Sequence, residues 1–175
     1  MKDLVVPSAA LRNCITDASP EIIARANALK ADIEAHERWI GGHAQGGKPA
    51  ALDGEDLRPL QSFFAGRPLS ALSARNAVAI GVDFSGCQLQ GVRFDGADLR
   101  DANFTGADLR GASFVGANLH HARFDRADMT SLMLANGTAL APNLASAQAT
   151  AEQFFGAILS GDISALGFRV EFSHR

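Results

Sequence analysis

The sequence predicts an all-β solenoid with an N-terminal α-helical cap, and three observations carry that reading. A five-residue period runs unbroken from Val82 to Ser131. The large apolar residue of successive periods alternates between Phe and Leu. Ahead of the repeat, over about 20–40, apolar residues recur at helical spacing instead. Self-similarity at a short fixed period marks a repeat architecture, in which each unit buries its apolar side only against its neighbours.

Composition narrows the function classes. The 175 residues carry 16 Lys and Arg against 19 Asp and Glu, a net charge of −3 with a pI of about 5.9. A protein that neutralises many phosphates is normally basic, so no nucleic acid is expected as partner. The 47% apolar share suffices for a core. No run of about 18 apolar residues occurs, so no membrane-spanning helix is expected. Met1 to Pro7 lacks the apolar run of a secretory signal. Two cysteines, Cys14 and Cys87, form neither a disulfide framework nor a metal spacing and read as reduced thiols of a cytoplasmic protein.

The first element is a helix. Ser19 before Pro20 and Glu21 supplies a cap, a first-turn proline and an acid at the positive end of the dipole. Ile22, Ala26, Leu29, Ile33, His36 and Ile40 form a stripe with alternating spacings of four and three. Gly41-Gly42 ends it, and Gly46-Gly47 follows in a connector. The stripe, with Trp39 laid over the mouth of the first coil, is expected to cap the solenoid. It also suits a partner helix or a homodimer. Residues 8–16 are compatible with a further helical turn.

The repeat reads VDFSG CQLQG VRFDG ADLRD ANFTG ADLRG ASFVG ANLHH ARFDR ADMTS. Its large centres are Phe84, Leu89, Phe94, Leu99, Phe104, Leu109, Phe114, Leu119, Phe124 and Met129. Two positions earlier stand the small inward residues Val82, Cys87, Val92, Ala97, Ala102, Ala107, Ala112, Ala117, Ala122 and Ala127. A polar residue separates each pair. Three alternating residues and then a two-residue corner fit neither a helix nor an ordinary strand. Repeated, they wind a coil, and glycine at the end of six of the ten units suits a corner with an unusual backbone angle.

ADLRD, ADLRG and ANLHH match the motif A(D/N)LXX, and the ten units together resemble the pentapeptide-repeat family. The resemblance implies a right-handed quadrilateral β-helix, four units to a coil, so residues 20 apart stack. The alternation of centres agrees with four sides. Stacking by 20 sets Phe84, Phe104 and Phe124 in one column, Leu89, Leu109 and Met129 in another, Phe94 with Phe114, and Leu99 with Leu119. Three or five units per coil would mix Phe with Leu. Many chains of this family also carry a helix with a His-x-x-Trp element before the first repeat, which His36-Glu37-Arg38-Trp39 resembles.

The flanks read as degenerate coils. Leu52 and Leu57 look like first units; Pro59, Pro68 and Phe63-Phe64-Ala65-Gly66 suggest a loop or bulged coil, with Leu69 and Ala79 in the later register. Downstream, Leu134, Ala139, Leu144, Phe154 and Leu159 fall at multiples of five. Thr150 and Gln153 have capping-box spacing. The tail Leu166 to Phe172 alternates like a strand and is placed to close the end. The expected organisation is a helical region at 1–45, a linker with degenerate first coils at 46–81, the regular β-helix at 82–135, and degenerate coils with a C-terminal cap at 136–175.

No catalytic, cofactor or metal constellation can be assembled, so no cofactor and no enzyme activity are expected. His120 and His121 share an outer corner, where their neighbours by register are Arg100 and Leu140, not ligands. Cys87 takes a packed inward place and reads as inert. Within the ten units, seven acids face five arginines, and the arginines scatter over the four sides with no outward aromatics, so a nucleic-acid track lacks both funnel and platform. The expectation is a non-enzymatic bacterial scaffold or adaptor that binds a protein, with Val115, outward beside Asp95 and Ala135, hinting at one face. Alternatives are a DNA-mimicking protector of gyrase, implied by part of the family, and a structural or self-associating module, including a homodimer through the helix or a β-helix end.

Overall fold

The computed structural model describes residues 19–42 and 47–161. Helix α1 spans Pro20–Ile40. The Ser19 hydroxyl accepts the Ile22 N–H at 3.4 Å, satisfying one of the free donors of the first turn. At the other end the Gly41 N–H donates to Glu37 O, and Gly42 turns the chain at φ +73. The expected turn at 8–16, Cys14, His43, the tail Leu166 to Phe172 and His174 lie outside the described residues.

From Ala50 onward the chain winds as a repeat β-helix. Parallel bridges join Pro68 to Gln88, Asp108 and Asp128 in one ladder, and Ser73 to Arg93 and Ser113 in the next. Val78, Asp98 and Asn118 form a third, and Asp83, Asn103 and Arg123 a fourth. Each step advances 20 positions, four five-residue units.

The residue types follow from where each backbone group goes. The N–H just after the large centre lies in the corner, without a ladder partner, and where the residue before the centre is Asp or Asn its side-chain oxygen accepts it. Asp83 serves Ser85 at 3.0 Å, Asn103 serves Thr105 at 3.1 Å, and Asn143 serves Ala145 at 3.0 Å. A short Asp or Asn side chain reaches two residues on, which longer ones do not. The corner closes with a bond from the next small residue to the large one, as Ala97 N–H to Phe94 O at 3.0 Å. Between them Gly96 has φ +68, the angle a type II turn demands at its third residue. Ala71, Asn76, Asp101, His121, Arg126 and Ser146 hold the same left-handed angle at other corners.

All ten large centres and all ten small inward residues between 82 and 129 are at most 2% exposed. Phe84 stacks on Phe104, and Phe104 on Phe124, with ring centroids 5.2 Å apart and planes within 10°. The column continues to Phe64 at 5.0 Å below and to Phe154 at 4.7 Å above. Phe94 and Phe114 stack at 5.6 Å in a second column, and the two columns meet edge to face, as Phe104 with Phe114 at 84°. Each buried Phe contributes roughly 1.5–3 kcal/mol of transfer free energy, with edge and offset contacts adding to it.

The register breaks twice. Ala51 pairs with Ser73 and Asp56 with Val78, 22 positions on, so the first coil holds two extra residues. They sit between Leu57 and Phe64, in the 3₁₀ turn Arg58–Leu60, where Pro59 fits the first-turn geometry. The sequence suggested a loop or bulged coil across this stretch. The disturbance is local, because Phe64, Leu69, Leu72, Ala74, Ala77 and Ala79 are all fully buried.

The second break is larger. Ser113 pairs with Asn143 and Asn118 with Gln148, 30 positions on. Strand β1 (Asp128–Met129) likewise pairs in parallel with β4 (Ile158–Leu159). Between them β2 (Leu132–Met133) and β3 (Ala139–Leu140) form an antiparallel hairpin outside the coil. Leu134 and Ala139, which counting by fives places among the centres, are therefore exposed, Leu134 by 40%. The excursion is ten residues, two whole units, so the count stays in phase while the chain leaves the coil. Winding resumes at Leu144, Phe154 and Leu159. The neighbour of Val115 is accordingly Ala145 rather than Ala135, and Leu140 does not lie beside His120.

Candidate interaction surfaces

The α1 surface divides the predicted stripe. Leu29, Ile33 and His36 are buried, Ala26 and Ile40 are half-buried, and Ile22 and Trp39 are 47% and 44% exposed. Trp39 thus does not lie over the mouth of the coil. Its ring leans on His36 at 5.5 Å, and the imidazole holds the buried position. The reason is the tight turn-back of the chain: a Cβ on Gly47 would lie 2.6 Å from Trp39 N, so the connector passes directly over the Trp39 backbone. Lys48 N–H then donates to Ala35 O at 3.2 Å. Ion pairs stitch the rim of the seam, Lys48 to Asp32 at 2.7 Å, Arg67 to Glu37 at 2.8 Å, and Arg25 to Glu55. An open cavity of about 410 Å³ remains between Ile22, Ala26 and Pro59, flanked by Arg25–Glu55 and Arg58–Asp56.

The coil faces are charged but locally neutralised. Asp56, Asp98 and Asp108 each take an arginine two residues on, at 2.7, 2.7 and 2.6 Å. The hydrogen bonds from Arg100 hold the Asp98 carboxyl below the usual carboxylate range, and those from Arg58 do the same for Asp56. Exposed pairs of this kind contribute little to stability, typically ~0–1 kcal/mol.

The hairpin lies on one corner. A Cβ on Gly111 would meet Leu132 Cβ at 3.0 Å and Leu140 Cδ2 at 3.1 Å, so Leu132 and Leu140 cover a bare backbone patch. Above them Met133 is 65% exposed, with Leu134 and Leu140 near 40%. No Asp, Glu, Lys or Arg occurs from Met129 to Ala151. Sequence reasoning missed this surface; the absence of charge was the available signal.

Cys87 is buried, donates to Phe64 O at 2.8 Å, and has its thiol pushed up to about 11 by desolvation. That is the opposite of an activated thiolate. His120 and His121 are exposed, with ring centroids 6.3 Å apart. Among the described residues no group of three or more His, Cys, Asp or Glu could hold a metal, and no helix is long and apolar enough to cross a membrane.

Comparison with known proteins bears on the coils. No curated protein matches the chain. Among solved structures, a trypsin-treated variant of QnrB1, a plasmid-mediated fluoroquinolone resistance protein, is 20% identical over 65% of this chain and 69% of its own, with a TM-score of 0.29. Full-length QnrB1 is 23% identical over 58% of this chain and 55% of its own, with a TM-score of 0.23. A pentapeptide repeat protein from the Arabidopsis thaliana thylakoid lumen is 24% identical over 59% and 61%, with a TM-score of 0.18. The sequence model for pentapeptide repeats matches residues 93–130 in eight copies, the same stretch whose ladders advance 20 positions per step, so this part of the chain is an array of pentapeptide repeats.

Proposed function

We propose that this protein is a non-enzymatic scaffold or adaptor of the cytoplasm, which presents a protein-binding surface on a rigid β-helix. The observation that carries the reading is the uncharged hairpin at Leu132 to Leu140, with Met133 65% exposed, held on a stiff support. Exposed apolar surface on a polar rod is where partners bind. The chain's Phe and Leu centres, with their small inward companions, are structural in this reading and take no part in chemistry. The winding is four-sided, as the 20-residue pairing and the Phe columns support, and right-handed, as the resemblance to pentapeptide-repeat proteins implies. Within the described residues, 19–42 carry the helical cap, 47–81 the linker and first coils, 82–131 the regular β-helix, 132–140 the hairpin and 141–161 the last coils.

The test is capture from the native host with the full chain and with Met133→Asp as paired baits. A partner held by the first and lost by the second supports the reading. Identical sets on both overturn it. Gyrase protection is the competing reading, and the in-face pairing of Asp98 and Asp108 with arginines weighs against mimicry of bare phosphates. A supercoiling assay with quinolone separates the two, since the adaptor reading expects no protection at micromolar protein. Light scattering on the full chain and on a version lacking residues 1–45 tests self-association through α1.

A further inference from the structure

The seam between α1 and the coils contains a buried ionisable ring that the adaptor reading leaves unused. His36 is fully buried. Its Nδ1 accepts the Ala50 N–H at 3.1 Å, from the strand that begins the first coil. Its Nε2 lies 3.0 Å from Ser70 O, at a corner of the next coil. The backbone chooses the tautomer. A donor faces Nδ1 and an acceptor faces Nε2, so only the neutral ring with its proton on Nε2 satisfies both. An imidazolium carries a proton on each nitrogen, so its Nδ1–H points at the Ala50 N–H, and turning the ring over puts Cδ2 there, which accepts no hydrogen bond.

We propose that His36 is a proton-sensitive latch, which holds α1 on the β-helix while neutral and loosens it when the ring is protonated. The proposal rests on α1 being a cap, as argued above. Loosening uncovers the apolar side of α1, Leu29 and Ile33, together with the mouth of the first coil around Leu52, Leu57 and Leu60. Desolvation lowers the affinity of the ring for a proton, and the acceptors Ser70 O and Leu69 O, with the negative charge of Glu37, only partly offset it. The charged groups on either side of the ring are Glu37 with Arg67 and Asp32 with Lys48, each an ion pair without net charge. Glu34 and Arg38, both exposed, are the remaining charges on this turn of α1.

The sign follows. The folded value lies below the ordinary imidazole value of 6.5, so the docked state is fully favoured above about pH 6.5 and loses ground as pH falls toward the folded value. One proton gives at most a tenfold rise in the undocked population per pH unit in that window. Amide hydrogen exchange on the full chain, corrected for intrinsic rates, reads this directly at Ala50 and along α1. The expected result is protection at pH 7.5 that falls several-fold by pH 5.5, while the amides from Phe84 to Phe124 stay protected. His36→Gln, whose amide both donates and accepts without titrating, should lose the pH dependence. Protection that does not change in the native chain, or an equal fall in His36→Gln, overturns the latch. If α1 exchanges like a free helix already at pH 7.5, the cap reading fails with it. Should His36→Gln not fold, the imidazole ¹⁵N shifts of the native chain decide: Nδ1 bearing the proton at neutral pH refutes the latch.

Discussion

The regular coils and the two places where they are interrupted obey different rules. Between 82 and 129 every inward position is filled and dry, and each Phe ring rests on the one 20 positions away. At Arg58–Leu60 two surplus residues are taken up in a 3₁₀ turn, and at 131–140 ten are expelled as a hairpin. In both cases the sides of the coil survive and the surplus appears at a corner. A side is constrained by packing from both faces and by the ladder bonds. A corner has its turn hydrogen bond and a bond to the next coil, as Gly96 N–H to Val115 O at 2.8 Å, but packs no side chain inward, so it absorbs length at low cost. Loop-closure entropy grows only slowly with such insertions.

The contrast is sharpest for paired truncations. Phe104→Ala, which opens a cavity between two stacked rings, should destabilise by about 3–5 kcal/mol in chemical denaturation. Met133→Ala on the exposed hairpin should stay within about 0.5 kcal/mol. Comparable losses at the two sites would erase the distinction between side and corner.

Excising residues 131–140 as a block should come next in effect. The coil then closes with 20-residue steps throughout, and the melting temperature should move by only a few degrees while far-ultraviolet circular dichroism is kept. Removing twelve residues instead leaves the chain two short of a full coil, draws Leu144 and Phe154 out of the inward register and should lower the melting temperature far more. If both deletions behave alike, phase is not what holds the last coil.

A smaller effect is expected at the left-handed corners. Arg126 is exposed at φ +58, and Arg126→Gly relieves a strain that only partly returns as unfolded-chain entropy, for a gain of up to about 1 kcal/mol. A loss of stability would mean that the Arg126 side chain holds the corner in some other way.

The smallest expected change is electrostatic. Asp98 is held below the usual carboxylate range by its bonds from Arg100, so its contribution is present above the ordinary carboxylate pKa and disappears as pH falls through the lowered one. In Arg100→Ala the Asp98 titration, followed by NMR, should move up toward the ordinary value with little change in melting temperature. An unmoved titration would show that Arg100 is not the cause.

Most of the coil was legible because its determinants are local and periodic. Small, polar and large residues at fixed spacing each answer one backbone or packing demand, and Asp or Asn in six of the ten units accepts a corner N–H. The interruptions were less legible for the same reason. Ten residues leave the phase of a five-residue count intact, so Leu134 and Ala139 look like centres, and nothing in their own identity says that the chain has departed. In α1 the heptad spacing located Leu29, Ile33 and His36 but not the exposure of Trp39, which depends on Gly47 crossing its backbone. The hairpin surface went unseen because Met133 and Leu134 look as apolar as a core.

What the amino-acid order determined alone is the unit: which residue points in, which points out, and where the turn falls, since these follow from contacts within five positions and one repeat of stacking. What only the tertiary structure decided is which units are wound and which are expelled, and which side of α1 is covered. Those outcomes depend on whether a neighbouring coil is there to receive a side chain. That is a fact about partners 20 or 30 positions away, which no local pattern records.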